Sequence, residues 1–290
     1  MNPRQHVSGA IVTYHPNRVV LSKVIAAAAP QVDGLLIVAN DGGECPCVLP
    51  ENAVLAKQDK NLGLGAAFNL AAAWARERGA THLLLLDQDS VPAPGMVAAL
   101  IEVFRKSELV AAAGARWRDS RTGEDGFFVR LARWGARKYT PAAGEIAPVD
   151  FLISSGSLIS LDAWADIGPF DEKLFIDKID IDWALRARAK GQRLYGVTDA
   201  RFDHAFGETT LTVSPLGLRR QFFLYSPRRN YYQLRNSIAL WRRPYAPWPW
   251  ILHDVRRTVM LTLYYVLFVP PRLDRLRAMS RAVVDGLGMK

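Results

Sequence analysis

The sequence has little cysteine and no long uncharged apolar segment. Its two cysteines, Cys45 and Cys47, flank one proline, a spacing that matches neither a zinc site nor a redox pair, so we interpret both as reduced. No stretch reaches the roughly 18 uncharged apolar residues that a membrane-spanning helix requires. Residues 1–6 lack the apolar core of a secretory signal. We therefore expect a cytoplasmic protein.

Acidic residues are also scarce relative to basic ones. The chain has 37 Lys and Arg against 28 Asp and Glu, a net charge of +9, and arginines from Arg219 onward alternate with aromatic residues. No nucleic-acid-binding module accompanies them, so we expect no nucleic-acid partner. The apolar run Val259–Val269 lies between Arg256-Arg257 and Arg272, which is typical of a segment on an anionic membrane surface. Packing on the preceding part of the chain, or homodimer formation through these C-terminal helices, is the alternative.

Several predicted strands end in polar residues. Leu83–Leu86 is typical of a strand buried on both faces of a parallel sheet, and Asp87 and Asp89 follow it directly. Ligands of open α/β sheets bind beyond the carboxyl ends of the strands. The two carboxylates could therefore hold a hard divalent cation and its nucleotide there, although a plain acidic turn would have the same sequence.

Two further strand ends and a glycine-rich turn precede this motif. Residues 7–13 and 34–39 are predicted strands, and the alanine-rich helix between them completes a βαβ unit. The second strand ends at Asp41. Asn61-x-Gly63-x-Gly65 then enters a predicted helix over residues 64–78, whose glycines permit close approach to a ligand and whose N-terminus offers amide donors to an anion.

These residues, taken in chain order, resemble an inverting glycosyltransferase of family two with the GT-A fold. Residues 149–160 and 175–186, together with Asp87-Gln88-Asp89, are similar to the rhamnosyltransferase subgroup. The resemblance implies an α/β fold with a Rossmann-like, mostly parallel central sheet, flanking helices and a helical C-terminal appendage. It places a catalytic domain at 1–215, with the nucleotide-sugar site in 1–115 and the acceptor side and base in 145–210, followed by a basic, aromatic region at 216–290.

The resemblance also assigns a donor site. Asp89 and His204 would bind Mn²⁺ or Mg²⁺, because carboxylate and imidazole are suitable ligands for such ions. Asp87 would face the ribose or the surroundings of the metal ligands. The residues expected to bind the nucleotide sugar are Thr13, Tyr14, Asp41, Asn61, Gly63, Asp87 and Gln88.

A second acidic cluster supplies candidates for the catalytic base. Asp177, Asp180 and Asp182 are the three candidates, at the start of a predicted helix that runs to about Lys190, where simple helix capping is the competing explanation. Asp182 can pair with Arg186 one turn later, whereas Asp180 points about 160° away from Asp182. The resemblance assigns the base to Asp180, although Ile179 stands where many members have glutamate.

Small residues and an aromatic side chain are expected on the acceptor side. The small residues Ser154, Ser155 and Gly156 leave room for the sugar, and the hydroxyls of the two serines could hydrogen-bond it. Trp183 could form a wall of this pocket, although a tryptophan at this place in a helix is equally suited to the core. Residues 116–144 lack periodicity, and we expect an irregular loop that orders over the donor.

Together these expectations define one activity and two alternatives. The resemblance implies a metal-dependent inverting transferase that moves L-rhamnose from dTDP-L-rhamnose to a saccharide or lipid-linked saccharide acceptor in cell-surface polysaccharide synthesis. It would act at the cytoplasmic face of the membrane, with Asp180 as the base of a single displacement. The same mechanism with a UDP-hexose donor is one alternative. A non-catalytic nucleotide-sugar-binding or membrane-interaction protein is the other.

Overall fold

The chain is built around a nine-stranded mixed sheet, seen in a computed structural model that describes residues 5–204, 209–213 and 220–289. The strands are β1 (Val7–Thr13), β2 (Gly34–Ala39), β3 (Ala53–Lys57), β4 (His82–Asp87), β5 (Ser90–Pro92), β6 (Val110–Asp119), β7 (Phe128–Ala132), β8 (Gly135–Tyr139), β9 (Ile146–Val149), β10 (Ser157–Ser160), β11 (Arg193–His204), β12 (Thr209–Val213) and β13 (Arg220–Leu224).

Eight α-helices lie among and after these strands in the described part of the chain. They are α1 (Arg18–Ala28), α2 (Leu64–Glu77), α3 (Met96–Lys106), α4 (Leu161–Ile167), α5 (Ile179–Ala189), α6 (Pro227–Trp241), α7 (Trp248–Phe268) and α8 (Arg272–Gly288). Single 3₁₀ turns lie at Ala29–Gln31 and Glu172–Leu174. The predicted α/β class is confirmed. Within the described residues, no helix is both long and apolar enough to cross a membrane.

The order of strands in the large sheet is β3-β2-β1-β4-β10-β6-β11-β5, and β9 pairs with β11. Strands β3, β2, β1 and β4 are mutually parallel; α1 connects β1 to β2 and α2 connects β3 to β4. Strand β10 is antiparallel to both β4 and β6, while β5 and β9 are antiparallel to β11. The sequence analysis did not predict these antiparallel strands. Through this pairing, residues near Ser157 and His204 lie beside the carboxyl end of β4.

The leucine run forms the centre of this sheet. Leu83–Leu86 are at most 1% exposed, which agrees with a strand covered on both faces. Leu84 and Leu86 belong to the apolar cluster that α1 and α3 form with the sheet. Helix α2 packs on β1 and β4 through small side chains such as Ala71 and Ala75. The two faces of β4 therefore contact different helices, which explains the absence of polar alternation.

The chain divides into two compact units, residues 1–132 with 136–204, and residues 133–135 with 205–290. The second unit contains the β12–β13 hairpin and helices α6, α7 and α8. Its core includes Leu234, Ile238 and Tyr265. Gly286 allows α8 to approach α6 closely, because an added Cβ would lie 2.7 Å from the Arg235 carbonyl oxygen. The C-terminal region is thus a small helical core of its own.

The organisation of the chain differs in part from the expected one. The boundary expected after residue 215, like Arg219 at the start of the basic region, lies outside the described residues, while the division into units follows His204. Residues 116–144 are not an irregular loop throughout, since they hold the end of β6 and the strands β7 and β8, which pair with each other. Period-two patterning is weak in these two strands because they are largely half-buried.

Candidate functional site

The carboxyl ends of β1, β2 and β4 meet at one edge of the sheet. Val12 is in register with Asp87, and Thr13 with Ala39. The motifs that follow these strands therefore lie side by side, as the sequence predicted. Strand β11 reaches the same edge through β5, because Ser90 is in register with His204.

Three potential metal ligands come together at this edge. Asp87, Asp89 and His204 each offer a ligand atom, and these atoms lie within 4.8 Å of one another. The Asp89 Oδ1 atom is 3.4 Å from His204 Nδ1. Two carboxylates and an imidazole suit Mn²⁺ and accept Mg²⁺ less readily, because Mg²⁺ prefers oxygen ligands. The cluster contains Asp87 as well as the two residues that the resemblance named as metal ligands.

His204 is held in a form suited to metal binding. Burial lowers the pKa of its imidazole, and the carboxylates of Asp89 and Asp119 oppose only part of this effect. A neutral ring keeps a lone pair for a cation. The Ser90 hydroxyl lies 2.7 Å from His204 Nδ1, and Ser90 itself is completely buried. The chemistry of this donor set therefore fits a divalent ion.

Gln88 joins the ends of β1 and β4. Its Oε1 accepts the backbone N–H of Tyr14 at 2.7 Å, and its Nε2 donates to the Tyr14 carbonyl oxygen at 3.3 Å. The Gln88 side chain thus hydrogen-bonds the Tyr14 backbone as a neighbouring strand would, and so extends the pairing of β1 with β4. Tyr14 itself is 46% exposed, whereas Thr13 is buried and its hydroxyl donates to the Val38 carbonyl at 3.4 Å. Tyr14 is accordingly the more accessible of the two predicted nucleotide contacts.

Asp41 is anchored by backbone amides. It accepts the N–H of His15 at 2.7 Å and the N–H of Gly43 at 3.2 Å. Burial alone would raise the pKa of Asp41, but these hydrogen bonds outweigh burial and lower it, so the carboxylate is ionised at neutral pH. The exposed His15 ring lies beside it, with Nδ1 3.2 Å from Asp41 Oδ2. The sequence analysis did not identify His15.

The loop before α2 is organised by two asparagines. Asn40, 4% exposed, donates to Asn61 Oδ1 at 3.1 Å and accepts the N–H of Leu62 at 3.0 Å. Asn61 Oδ1 also accepts the N–H of Gly63 at 2.9 Å. Asn61 therefore shapes the turn. Asn40 was not predicted as part of the site, although it directly precedes Asp41 at a strand end.

Gly63 is required for a reason other than the one expected. Its φ is +86°, and a Cβ on it would lie 2.6 Å from the Phe175 carbonyl oxygen. The same carbonyl accepts the N–H of Leu64 at 2.6 Å. The first amide of α2 is thus bonded to the segment that leads into α5, and the expectation that it serves an anion is wrong for this group.

Asp180 lies in a largely apolar pocket at the start of α5. Leu85, Leu152, Phe170 and Trp183 are among its lining residues. Burial raises the pKa of Asp180 to about 6, and the N–H of Ile181, which its Oδ1 accepts at 2.8 Å, offsets only part of this. A carboxyl with such a pKa can accept a proton near neutral pH.

Asp182 has a different environment from Asp180. It is fully buried, and its Oδ2 accepts the Arg186 Nε hydrogen at 2.9 Å. The pairing predicted from their spacing is therefore confirmed. Trp183 is 3% exposed, donates from Nε1 to the Gly168 carbonyl at 3.2 Å and lies 5.8 Å from Phe170 between ring centroids. It both belongs to the core and lines the Asp180 pocket.

The Ser154–Gly156 segment connects the Asp180 pocket with the cluster of Asp87, Asp89 and His204. Ser154 lines the Asp180 pocket. The Ser155 hydroxyl accepts the backbone N–H of Asp87 at 2.9 Å and donates to Ser90 Oγ at 2.7 Å, so it is engaged with protein groups. Gly156 has φ +77°, and a Cβ there would lie 2.4 Å from the Phe202 ring. Sequence reasoning missed Ser90, although it immediately follows Asp89.

The segment before α5 has an unusual backbone. Phe175, Asp177 and Lys178 all have positive φ, at 65°, 63° and 67°. Phe175 is the centre of a γ-turn in which the Ile176 N–H donates to the Leu174 carbonyl at 2.7 Å. Non-glycine residues rarely adopt such conformations unless the surroundings enforce them, and they concentrate at functional sites.

The chain is similar to characterised glycosyltransferases. Residues 36–159 match the family model described as Glycosyl transferase family 2. The dTDP-rhamnosyl transferase RfbF of Shigella flexneri is 24% identical over 290 residues, which cover 97% of this chain and 95% of that relative.

Two solved structures share the fold. GalNAc-T7, solved with UDP, GalNAc and Mn²⁺, matches with a TM-score of 0.58 at 12% identity. That match covers 92% of this chain but only 57% of the GalNAc-T7 chain. TarS of S. aureus, residues 1–349, matches with a TM-score of 0.54 at 13% identity, covering 98% of this chain and 80% of TarS. The predicted GT-A fold is confirmed.

Proposed function

We propose that this chain, in which residues 36–159 match the Glycosyl transferase family 2 model, is a glycosyltransferase that moves L-rhamnose from dTDP-L-rhamnose to a saccharide acceptor with inversion of the anomeric centre. The observation that carries the proposal is the grouping of Asp87, Asp89 and His204 within 4.8 Å at the strand ends. A cation held by this group would stabilise the negative charge on the departing nucleoside diphosphate.

Asp180 is proposed as the general base. A single displacement requires the acceptor hydroxyl to lose its proton as it attacks the anomeric carbon. The raised pKa of Asp180, at about 6, keeps it mostly ionised at pH 7 while making it a stronger base than an ordinary aspartate. Ser154 and Trp183, which line the same pocket, are proposed to contact the acceptor or the transferred sugar.

The remaining predicted residues are proposed to bind or shape the donor site. Tyr14 and Asp41 would contact the nucleoside, since one is exposed and the other carries an ionised carboxylate at the strand edge. Gln88 and Asn61 are proposed to support the site by fixing the strand ends and the loop before α2. Thr13, Gly63, Ser155 and Gly156 would act through packing and hydrogen bonding to neighbouring protein groups.

The choice of donor rests on the similarity to the Shigella flexneri rhamnosyl transferase. A UDP-hexose donor is the alternative, in keeping with the UDP and GalNAc present in the GalNAc-T7 structure. A thermal-shift panel tests both, because a ligand that binds the folded state raises the melting temperature by mass action. The panel would contain dTDP-rhamnose, UDP-glucose, UDP-galactose and UDP-N-acetylglucosamine, each with and without MnCl₂.

The expected result is stabilisation that depends on manganese and is largest with dTDP-rhamnose. A preference for one UDP sugar would replace the donor and retain the mechanism. Absence of a shift with every donor would contradict a nucleotide-sugar site and favour the membrane-interaction alternative.

We also propose that the acceptor is lipid-linked and that the protein works at the cytoplasmic membrane face. The C-terminal half of α7 exposes apolar side chains beyond Arg256 and Arg257, which are themselves exposed and would suit anionic headgroups. The side chains at least half exposed are Val259, Met260, Leu263, Leu267 and Phe268.

Co-sedimentation with vesicles tests this surface. Binding to phosphatidylglycerol vesicles, weakened in Leu263→Glu, would support membrane contact. Equal recovery with and without vesicles, together with a dimer that Leu263→Glu dissociates in light scattering, would instead assign the surface to a second copy.

A further inference from the structure

The turn after β6 lies beside the cluster of Asp87, Asp89 and His204. Asp119, the last residue of β6, is in parallel register with His204 at the end of β11, and the backbone N–H of Ser120 donates to the His204 carbonyl oxygen at 3.1 Å. Residues in register on neighbouring strands direct their side chains to the same face of a sheet. The Asp119 side chain therefore lies on the same face as the His204 ring.

Backbone hydrogen bonds hold Asp119 and its turn in place. The residue is 7% exposed, and its Oδ1 accepts the backbone N–H of Arg121 at 2.8 Å. The Gly123 N–H closes the turn by donating to the Asp119 carbonyl oxygen at 2.8 Å. The position of this carboxylate is thus fixed by the backbone that follows it.

The Arg121 guanidinium contacts the same carboxylate at longer distances. Its Nη2 lies 3.4 Å from Asp119 Oδ2, and its Nε lies 3.4 Å from Oδ1. Charge-assisted hydrogen bonds from nitrogen to a carboxylate are typically about 2.7–2.9 Å long. The Arg121 side chain is also 40% exposed. Arg121 therefore presents a cation to solvent near the cluster, through a contact long enough to change when a second anion binds.

We propose that Arg121 binds the diphosphate of the nucleotide sugar and stabilises the nucleoside diphosphate as it leaves. Asp87, Asp89 and Asp119 together carry more negative charge than one divalent cation balances, and the donor adds the charge of its diphosphate. A further cation lowers the free energy of this arrangement. Arginine suits the role because its planar guanidinium forms paired hydrogen bonds with phosphate oxygens. The proposal rests on the nucleotide-sugar site of the proposed function.

Arg121 would act on the charge that develops during transfer. The acceptor oxygen forms a bond to the anomeric carbon and gives its proton to Asp180. The bond from that carbon to the diphosphate oxygen breaks, and its electron pair stays on the diphosphate. Because the departing nucleoside diphosphate is more negative than the intact donor, the guanidinium should bind it more strongly.

The test compares Arg121→Ala and Arg121→Lys with Arg118→Ala as matched control. Arg118 is an exposed arginine on β6 next to Asp119, and successive residues of a strand face opposite sides of the sheet. Isothermal titration calorimetry with MnCl₂ would measure the Kd of dTDP and of dTDP-rhamnose, and circular dichroism would verify the fold of each variant.

We expect Arg121→Ala to weaken dTDP binding about 10- to 100-fold, the range for a hydrogen bond to a charged group. The loss should be smaller for dTDP-rhamnose, whose diphosphate is less negative. Arg121→Lys should lose less, because it keeps the charge without the paired hydrogen bonds. Arg118→Ala should bind both compounds as the wild type does.

The outcomes separate this proposal from the proposed function. Unchanged dTDP affinity in folded Arg121→Ala, or an equal loss in Arg118→Ala, would overturn the role of Arg121 and leave the nucleotide-sugar site intact. UDP, titrated in the same way, covers the alternative donor. If the wild type binds neither dTDP nor UDP, the nucleotide-sugar site fails, and the role of Arg121 fails with it.

Discussion

Replacing Asp180 by asparagine should abolish transfer and stabilise the fold at the same time. Burial moves the pKa of this carboxyl from 3.8 to about 6 in the folded protein. That difference corresponds to about 3 kcal/mol of unfavourable free energy when the group is ionised. The site therefore holds a charge that the fold would be more stable without, and asparagine has nearly the same shape without the charge.

The sign of the pH dependence follows from linkage. The folded state binds this proton more tightly than the unfolded state, so the penalty is fully present above pH 6 and vanishes below pH 3.8. From these two values, Asp180→Asn should exceed the wild type in stability by about 3 kcal/mol at pH 8 and by roughly half as much at pH 5. Transfer by the wild type should fall about tenfold per pH unit below pH 6, because the base becomes protonated.

Denaturant titrations at pH 5 and pH 8, followed by tryptophan fluorescence, would measure the stability difference, and product formation would be measured in parallel. Asp182→Ala is the matched control in the same helical turn. It removes the buried carboxylate that pairs with the partly buried Arg186 and should lower stability by about 1–3 kcal/mol. Turnover near the wild-type level in Asp180→Asn, or a stability difference that does not grow between pH 5 and pH 8, would refute the reasoning.

Three further changes have expected outcomes. Gly63→Ala should lower stability by more than about 1 kcal/mol in denaturant titration, because its Cβ would meet the Phe175 carbonyl at positive φ, whereas Gly79→Ala has open space and should lose less. Asp41→Asn should raise the Michaelis constant for the donor with little change in kcat, and the reverse pattern would count against nucleoside binding. Hydrogen exchange over residues 116–144 should slow at saturating donor and Mn²⁺, and unchanged exchange would argue against closure over the donor.

The sequence was sufficient to place Asp87 and Asp89 at an edge of the sheet. Strand β4 is recognisable because four consecutive leucines leave no polar face, and the residue after such a strand must lie at the sheet edge. The spacing of Asp182 and Arg186 likewise fixes a local contact on one helix. These predictions succeed because they depend on residues within a few positions of one another.

The long-range contacts could not be predicted in this way. Strand β10 lies between β4 and β6 because it pairs with both, although both come much earlier in the sequence. A local sequence pattern does not specify such distant partners. Ser155 was expected to bind a sugar because its actual hydrogen-bond partner, Ser90, lies 65 residues earlier and cannot be identified from the local sequence. The first amide of α2 was expected to be available for an anion. Its actual acceptor, the Phe175 carbonyl, lies far along the chain and is not apparent from the sequence around α2.

The hydrogen bond from Leu64 to Phe175 limits how this enzyme can be re-engineered. The loop that precedes α2 and the strained turn before α5 share one carbonyl group, so neither can be replaced without refitting the other. Residues 36–159, the part that matches the family model, contain neither Phe175 nor Asp180 nor His204. A chimera that exchanged only residues 36–159 to change the sugar would combine a new loop before α2 with the old turn before α5. The contact between Leu64 and Phe175 would then no longer be matched. The smallest exchangeable cassette extends through the end of β11.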